Sequence, residues 1–304
     1  MIRLGIVDCD TSHVVAFTQR LHHVDVGEDH WVDGASVVAA LPMPSLVSPE
    51  RVPRFVEQLR AYGIPILERP EALIGEVDAV LVEANDGSVH RERALPFIDA
   101  GLPVFIDKPF ACSTADALAI AGAARRRNAP LFSSSALRWD VPVQDVVARR
   151  EALGAVHSVD AFAPGTQHPR NPGFFHYGVH AVELAYALMG TGCRRVRCVR
   201  TDGADVALGE WADGRLATVR AVREGARQTG TGFVAITQQQ AVQGKSSGYG
   251  YRELLKRIVR MCRTGERPLS DEALIEPVAF QEAALRSMER DGAPVGLTEV
   301  GLPA

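Results

Sequence analysis

Lysine is scarce in this 304-residue chain: Lys108, Lys245 and Lys256 are the only lysines among 33 basic side chains. Acidic side chains number 37, the net charge is −4, and no basic block occurs. That balance argues against nucleic acid as the main partner. The longest apolar runs fall far short of the ~20 residues that a membrane-spanning helix needs. We therefore predict a small-molecule substrate, with no nucleic acid and no membrane among the partners.

Cysteine is also sparse, and its spacing is uninformative for metals or disulfides. The chain has five scattered cysteines and no C-x-x-C pair: Cys9, Cys112, Cys193, Cys198 and Cys262. This pattern favours reduced thiols over a disulfide framework. The N-terminal residues pass directly into a strand-like run, without the charged and apolar regions of a signal peptide. We predict a cytoplasmic protein, and the preference for arginine over lysine suggests a GC-rich bacterial genome.

The first 128 residues alternate short apolar runs with amphipathic segments. Strands are predicted at 2–7, 36–41, 64–67, 79–83, 103–106 and 130–133, and helices at 11–21, 49–62, 89–100 and 114–128. Apolar strands separated by helices predict a parallel sheet covered on both faces. The fold class is therefore α/β, with an N-terminal doubly wound Rossmann domain over residues 1–128.

Residues 129–304 have a different pattern of apolar residues. A strand-like run occurs at 156–162, and runs of period 2 occur at 195–200, 206–211, 216–222 and 233–237. Helices are predicted at 141–153, 249–264 and 270–291, and a long helix or helix-containing segment at 173–189. Glycine turns between such runs indicate antiparallel strands. We predict an α+β domain with an open, largely antiparallel sheet.

The dinucleotide fingerprint that such a fold usually carries is missing. In a Rossmann domain, G-x-G-x-x-G follows the first strand and places a pyrophosphate on the helix N-terminus. Here the three glycine positions hold Asp8, Asp10 and His13. Asp10, Thr11 and Ser12 are good helix N-caps, so capping is an alternative role for this turn. No acidic residue ends the second strand to hold a ribose, and the sequence leaves NAD and NADP open.

Three further motifs resemble those of one family. Asn85 follows the strand predicted at 79–83, the run AGLPVFIDKP carries Asp107 where the family has glutamate, and FHYGVHAVE carries His176 where it has aspartate. In order and spacing these motifs resemble the Gfo/Idh/MocA (glucose–fructose oxidoreductase-like) oxidoreductases, over nearly the whole chain. The resemblance implies hydride transfer between NAD(P) and a sugar- or cyclitol-like alcohol or ketone, in a homodimer or homotetramer.

The resemblance also implies site residues. Lys108 would polarise the substrate oxygen, and His180 would be the general acid/base, a role suited to a near-neutral pKa. His176, four residues before His180, would share its helical face and take part in catalysis or substrate binding. Arg138 and Tyr177 would contact substrate. The cofactor-binding residues would be Asp8, Asp10, Thr11, Ser12, His13, Asn85, Lys108 and Ser134.

Other interpretations remain open from the sequence. The spacing of His176, His180 and Glu183 also fits metal ligands, which His168 or His13 could join, but we predict no metal. The lost glycines and the His176/His180 pair are compatible with a redox-neutral isomerase, lyase or cyclase that binds a cofactor poorly or not at all. A non-enzymatic binding or regulatory module is the third alternative.

Overall fold

The computed structural model describes residues 1–225 and 230–303. Their contacts form two compact units. The first comprises residues 1–111, 118–134 and 251–270, and the second comprises residues 112–117, 135–225, 230–250 and 271–303. Residues 251–270, which the sequence analysis assigns to the second domain, therefore pack with the first unit.

The strands and helices of the described residues follow the sequence-based expectation closely. The strands are β1 (Ile2–Val7), β2 (Ala35–Leu41), β3 (Ala79–Val82), β4 (Val104–Ile106), β5 (Leu131–Ser133), β6 (Val156–Pro164), β7 (Cys193–Arg200), β8 (Ala204–Trp211), β9 (Leu216–Val222), β10 (Gly232–Thr237), β11 (Ala241–Lys245) and β12 (Val295–Gly296). The α-helices are α1 (His13–His22), α2 (Arg51–Ala61), α3 (His90–Asp99), α4 (Thr114–Arg127), α5 (Val141–Ala148), α6 (Arg150–Leu153), α7 (Val179–Met189), α8 (Gly250–Thr264) and α9 (Asp271–Glu289).

The first unit contains the parallel sheet that the alternating apolar runs predict. Its strand order is β2-β1-β3-β4-β5, and every pairing is parallel. All residues of β3 and β4 are buried, as expected of strands covered on both faces. Strand β2 lies on one side of β1, and β3, the next strand along the chain, lies on the other side. The strand order therefore reverses at β1, and a topological switch point lies at its carboxyl end.

The second unit contains a seven-stranded sheet of order β11-β10-β6-β9-β8-β7-β12. The β6–β9 pairing is parallel and the remaining pairings are antiparallel. The strands alternate buried and exposed residues, most regularly in β8, which matches one face on the core and one open face. The buried face packs on α7 and α9, whose Tyr186 and Phe280 meet edge to face with ring centroids 5.9 Å apart. The α/β class with two sheets of these types is confirmed.

One predicted strand is wrong: the run at 64–67 forms only an isolated bridge, between Ile66 and Ala40. Strand β11 was not predicted, since its short polar sequence resembles a loop, yet it pairs along β10. The helix-containing segment predicted at 173–189 has a short 3₁₀ turn first, and its α-helix begins at Val179. No helix within the two described ranges is both long and apolar enough to cross a bilayer.

Candidate functional site

The turn after β1 keeps the backbone conformation of a glycine loop without its glycines. Asp8 occupies the first glycine position with φ of 66°, in the left-handed region that glycine favours. Its carboxylate is buried and lies 3.5 Å from Nε of Arg93. Burial raises the pKa of Asp8 to about 7, although the charge of Arg93 opposes the shift. At physiological pH, the Asp8 carboxyl is therefore protonated in roughly half of the molecules.

Asp10 ties together the loops that follow three strands. Its two carboxylate oxygens accept hydrogen bonds from the Ser45 hydroxyl (2.5 Å) and from the Asn85 backbone N–H (2.8 Å). The Asn85 amide in turn donates to the Ser48 hydroxyl at 3.3 Å. Burial raises the pKa of Asp10, and the Ser45 and Asn85 hydrogen bonds restrain the rise. These contacts replace the helix-capping role that the sequence left open for Asp10.

Three further polar residues that the sequence analysis assigned to the cofactor, Thr11, Ser12 and Ser134, lie after the ends of strands β1 and β5. The Thr11 hydroxyl accepts a hydrogen bond from the His13 backbone N–H at 3.1 Å, inside the buried turn. Ser12 is exposed at the N-cap position of α1, and its side chain makes no capping hydrogen bond. Ser134 is buried directly after β5, at the same edge of the parallel sheet. The first unit thus contributes several polar groups at the ends of its strands.

His13, Glu83 and Asp107 form a buried cluster at this edge. Nδ1 of His13 lies 2.7 Å from Oδ2 of Asp107 and 3.6 Å from Oε2 of Glu83. Both carboxylates are fully buried. Burial and the charge of Asp107 raise the pKa of Glu83 to about 7. Burial alone would lower the pKa of His13, but the charge of Asp107 outweighs it and raises that pKa well above its usual range.

Lys108 follows Asp107 at the carboxyl end of β4. Its backbone N–H donates to Oδ1 of Asp107 at 2.7 Å, and its side chain is half-buried. Within residues 1–225 and 230–303, the Lys108 amine makes no hydrogen bond or ion pair with another side chain. The amine is therefore available to a ligand.

His180 is anchored in the second unit by a hydroxyl that the sequence analysis did not single out. Nδ1 of His180 lies 2.7 Å from the Ser135 hydroxyl oxygen, which also accepts the Leu137 backbone N–H at 3.2 Å. This contact fixes the imidazole ring through Nδ1. Ser135 lies in the run SSSALR, so its neighbourhood, though not its role, was visible in the sequence.

His176 does not share a helical face with His180, contrary to the sequence-based expectation. It lies between the 3₁₀ turn and the start of α7. The tight turn there needs Gly178, since an added Cβ would lie 2.8 Å from Cδ1 of Phe174. The Tyr177 ring contacts both imidazoles, with centroids 4.9 Å from His176 and 6.0 Å from His180. The three rings therefore form one aromatic cluster, half-buried apart from the exposed tyrosine.

Arg138 is held by the helix that carries His180. Its Nε donates to Oε2 of Glu183 at 2.6 Å, and both side chains are almost wholly buried. Nη2 of Arg138 is also buried and has no hydrogen-bond partner among the described residues. Glu183 thus neutralises the guanidinium, and the remaining donor is suited to a neutral oxygen such as a hydroxyl or carbonyl.

The predicted residues fall into two groups, one on each unit. The first unit carries the loop from Asp8 to His13 together with Asn85, Lys108 and Ser134, all at the carboxyl edge of its sheet. The second unit carries Arg138, His176, Tyr177 and His180. Glu83 and Ser135 were missed as single residues. A charged residue directly after a strand as apolar as β3 was the available signal for Glu83.

The turn fits a dinucleotide despite its carboxylates. Ligands of open α/β sheets bind at the switch point, and there the N-terminus of α1 offers backbone N–H groups to a pyrophosphate. Asp8 preserves the backbone conformation of the missing glycine and is compensated by Arg93. The two carboxylate oxygens of Asp10 accept hydrogen bonds from the Ser45 hydroxyl and the Asn85 backbone N–H. The negative charge of Asp8 is therefore offset by a nearby cation, and that of Asp10 by two hydrogen-bond donors.

A doubly wound sheet with polar residues clustered at its switch point defines the first unit as a dinucleotide-binding type of domain. Residues 45–134 match the family model described as "Oxidoreductase family, NAD-binding Rossmann fold". Over these residues, the match confirms the resemblance to the Gfo/Idh/MocA oxidoreductases that the motifs suggested.

Two characterised relatives match part of the chain. UDP-N-acetylglucosamine 3-dehydrogenase of Acidithiobacillus ferrooxidans is 30% identical over 191 residues, which cover 59% of each protein. D-apiose dehydrogenase of Paraburkholderia graminis is 29% identical over 178 residues, which cover 52% of this chain and 44% of the relative. The chain thus matches less than two thirds of either relative's length.

Solved structures extend the likeness in fold to the whole chain. Scyllo-inositol dehydrogenase from Lactobacillus casei with bound NAD(H) and scyllo-inositol superposes with a TM-score of 0.80 at 13% identity, covering 98% of this chain and 99% of that one. GenD2 from gentamicin A biosynthesis, in complex with NAD, gives 0.78 at 19% identity, covering 97% and 96%. At these identities the likeness establishes the fold alone.

Proposed function

We propose that this protein is an NAD(P)-dependent oxidoreductase that interconverts an alcohol and a ketone of a sugar-like or cyclitol-like substrate. The observation that carries the proposal is the family match over residues 45–134, which includes the available Lys108 amine at the end of β4. The dehydrogenase names of the relatives support the substrate class. When bound, the nicotinamide accepts or donates the hydride.

The chain's own residues supply the polar chemistry. Lys108 donates a hydrogen bond to the reacting oxygen and stabilises the negative charge that develops on it. His180 takes the hydroxyl proton at Nε2 in the oxidation and returns it in the reduction. Ser135 holds the opposite ring nitrogen. Arg138 and Tyr177 contact substrate hydroxyls, and His176 supports the same cluster.

In the first unit, the turn from Asp8 to His13 and the loop residue Asn85 would hold the dinucleotide, with Ser134 at the end of β5. The N-terminal N–H groups of α1 would bind its pyrophosphate. No acidic residue ends β2 to accept a ribose diol, so titration with both nucleotides decides between NAD and NADP.

The test has two stages, with a matched lysine control. Fluorescence titration of the purified protein with NADH and NADPH should show saturable binding, and one cofactor should bind more tightly. Lys108→Ala and His180→Ala should then lower turnover by about 100-fold or more in a screen of polyols, cyclitols and keto-sugars. Lys256→Ala, which removes an exposed amine paired with Glu253, should leave turnover unchanged. Failure of both nucleotides to bind would refute the proposal.

A redox-neutral enzyme on this scaffold is the second candidate, favoured by the loss of all three fingerprint glycines. It would use the His176/His180 cluster for isomerisation, elimination or cyclisation. Substrate conversion without any change in nicotinamide absorbance, abolished by His180→Ala, would favour this candidate over hydride transfer.

We further propose that the protein acts in a bacterial cytoplasm as a homodimer or homotetramer. Five cysteines without a disulfide support a reducing compartment. The open face of the second unit's sheet, with exposed Val199, Leu216 and Ile236, supports association between copies. Light scattering of the purified protein tests the assembly, and a monomer at micromolar concentration would contradict it.

A further inference from the structure

Four buried polar atoms at the edge of the parallel sheet lack hydrogen-bond partners among the described residues. They are Nδ1 of His13, both carboxylate oxygens of Glu83 and Oδ2 of Asp107. Folded proteins rarely leave buried carboxylate oxygens without a donor, and an ion is one of the few explanations. The three side chains come from α1, the end of β3 and the end of β4, so they converge through the fold and are far apart in sequence.

The atoms are close together, and one carboxylate lies at ion-pair distance from the imidazole. Oδ2 of Asp107 lies 2.7 Å from Nδ1 of His13, although the contact lacks hydrogen-bond geometry. Oε2 of Glu83 lies 3.6 Å from the same nitrogen, and neither Glu83 oxygen has a hydrogen-bond donor among the described residues. A cation shared by the three groups, in place of the proton on His13, would satisfy all four atoms. We propose that His13, Glu83 and Asp107 bind one divalent first-row transition-metal ion, with Zn²⁺ as the reference ion.

The separations and the donor types suit this ion. One imidazole nitrogen and two carboxylate oxygens are a common Zn²⁺ ligand set, with bonds of about 2.0–2.2 Å. Two donors of one ion therefore lie at most ~4.4 Å apart. The donor atoms of the three residues all lie within 4.8 Å of one another, and two of the separations are well below that limit. Small side-chain rotations bring them around a shared centre.

Neighbouring groups hold the three side chains in place, as hydrogen-bonding and packing partners of metal ligands do. The other oxygen of Asp107 accepts the Lys108 backbone N–H at 2.7 Å. The His13 ring stacks on Phe17, with centroids 5.2 Å apart, and meets Tyr251 edge-on at 4.9 Å. The two carboxylates would balance the ion's double charge. Three protein ligands would leave a fourth position for water or another oxygen ligand.

Metal content of the intact protein tests the site independently of any enzymatic activity. Protein stripped with chelator is dialysed against ZnCl₂ alone, and bound zinc is measured by plasma mass spectrometry, with affinity from competition with a chromophoric chelator. The wild-type chain should retain about one equivalent of Zn²⁺. Glu83→Gln and His13→Gln should each weaken binding by about 100-fold or more. Glu92→Gln, which removes an exposed carboxylate of the same unit, should bind as the wild type does.

Two outcomes would overturn the proposal. Wild-type protein that retains no zinc above the dialysis buffer would do so without any variant. Equal binding by the wild type and by Glu83→Gln would show that zinc is held elsewhere, and His180→Gln then tests the histidine cluster of the second unit. Circular dichroism of each variant checks its fold. If Glu83→Gln does not fold, the visible spectrum of Co²⁺-loaded wild type decides, because a six-coordinate aqueous-like spectrum contradicts a three-ligand protein site.

Discussion

The buried carboxyl of Asp8 makes folding stability fall as pH rises, and Asp8→Asn should remove that effect. The folded-state pKa of Asp8 is about 7, against 3.8 in the unfolded chain. As pH rises above 4, the unfolded chain ionises first, so it is favoured progressively until pH passes 7. Below pH 4 the group contributes no difference between the two states.

The size of the effect follows from the pKa difference. Each unit is worth about 1.4 kcal/mol, so the full penalty is about 4 kcal/mol at pH 8. Between pH 5 and pH 8, the ionisation of Asp8 should remove about 2.5 kcal/mol of unfolding free energy. The charge of Arg93 is already included in this pKa. Asparagine is nearly isosteric and tolerates the left-handed backbone conformation at this position.

Urea unfolding of the wild type and of Asp8→Asn at pH 5 and pH 8 measures this term by difference. Other titrating groups cancel between the two proteins. We expect the variant to gain about 2.5 kcal/mol relative to the wild type on going from pH 5 to pH 8. Asp99→Asn, which removes an exposed carboxylate paired with Arg127, should change stability by less than about 1 kcal/mol at either pH. Parallel pH dependences for the wild type and Asp8→Asn would refute the reasoning.

Three further predictions concern other parts of the chain. Ser135→Ala should lower kcat about 10-fold with little change in KM and shift the pH profile of kcat, because His180 loses its anchor; an unchanged profile would exclude the positioning role. Asp205→Ala should cost about 2–3 kcal/mol in urea unfolding, since Arg200 and Arg223 both lose their buried partner, whereas Asp213→Ala at an exposed pair should cost under about 1 kcal/mol. Phe105→Ala in β4 should cost about 3–5 kcal/mol, and a cost as small as that of Leu46→Ala, at an exposed site, would contradict its place in the core.

Much of the fold was predictable because its strands are short apolar runs with regular spacing. The boundaries of β1 and β9 agree with the sequence patterns, and those of α4 differ by one residue. Strand β11 was not predicted because pairing with β10 stabilises a segment that has only a weak intrinsic preference for β-structure. The late start of α7 was not predicted for a similar reason, since Gly178 also packs closely against Ala221 of β9, a tertiary contact.

The candidate site was less predictable than the fold. Local motifs pointed to Lys108 and His180, but their supporting contacts come from distant parts of the sequence. Asp10 meets residues 35 and 75 positions away, and nothing in the local pattern distinguishes those contacts from helix capping. The position of Glu83 directly after an apolar strand was a local signal, but its proximity to His13 and Asp107 is a property of the fold.

The bonds of Asp10 limit how this turn can be re-engineered. A standard glycine fingerprint placed at positions 8, 10 and 13 would remove the acceptor that holds Ser45 and the Asn85 backbone, and with it the anchor of two other loops. The β1–α1 turn is therefore interchangeable with that of a relative only as one block with the segments after β2 and β3. Cofactor-specificity designs on this scaffold should graft all three segments together.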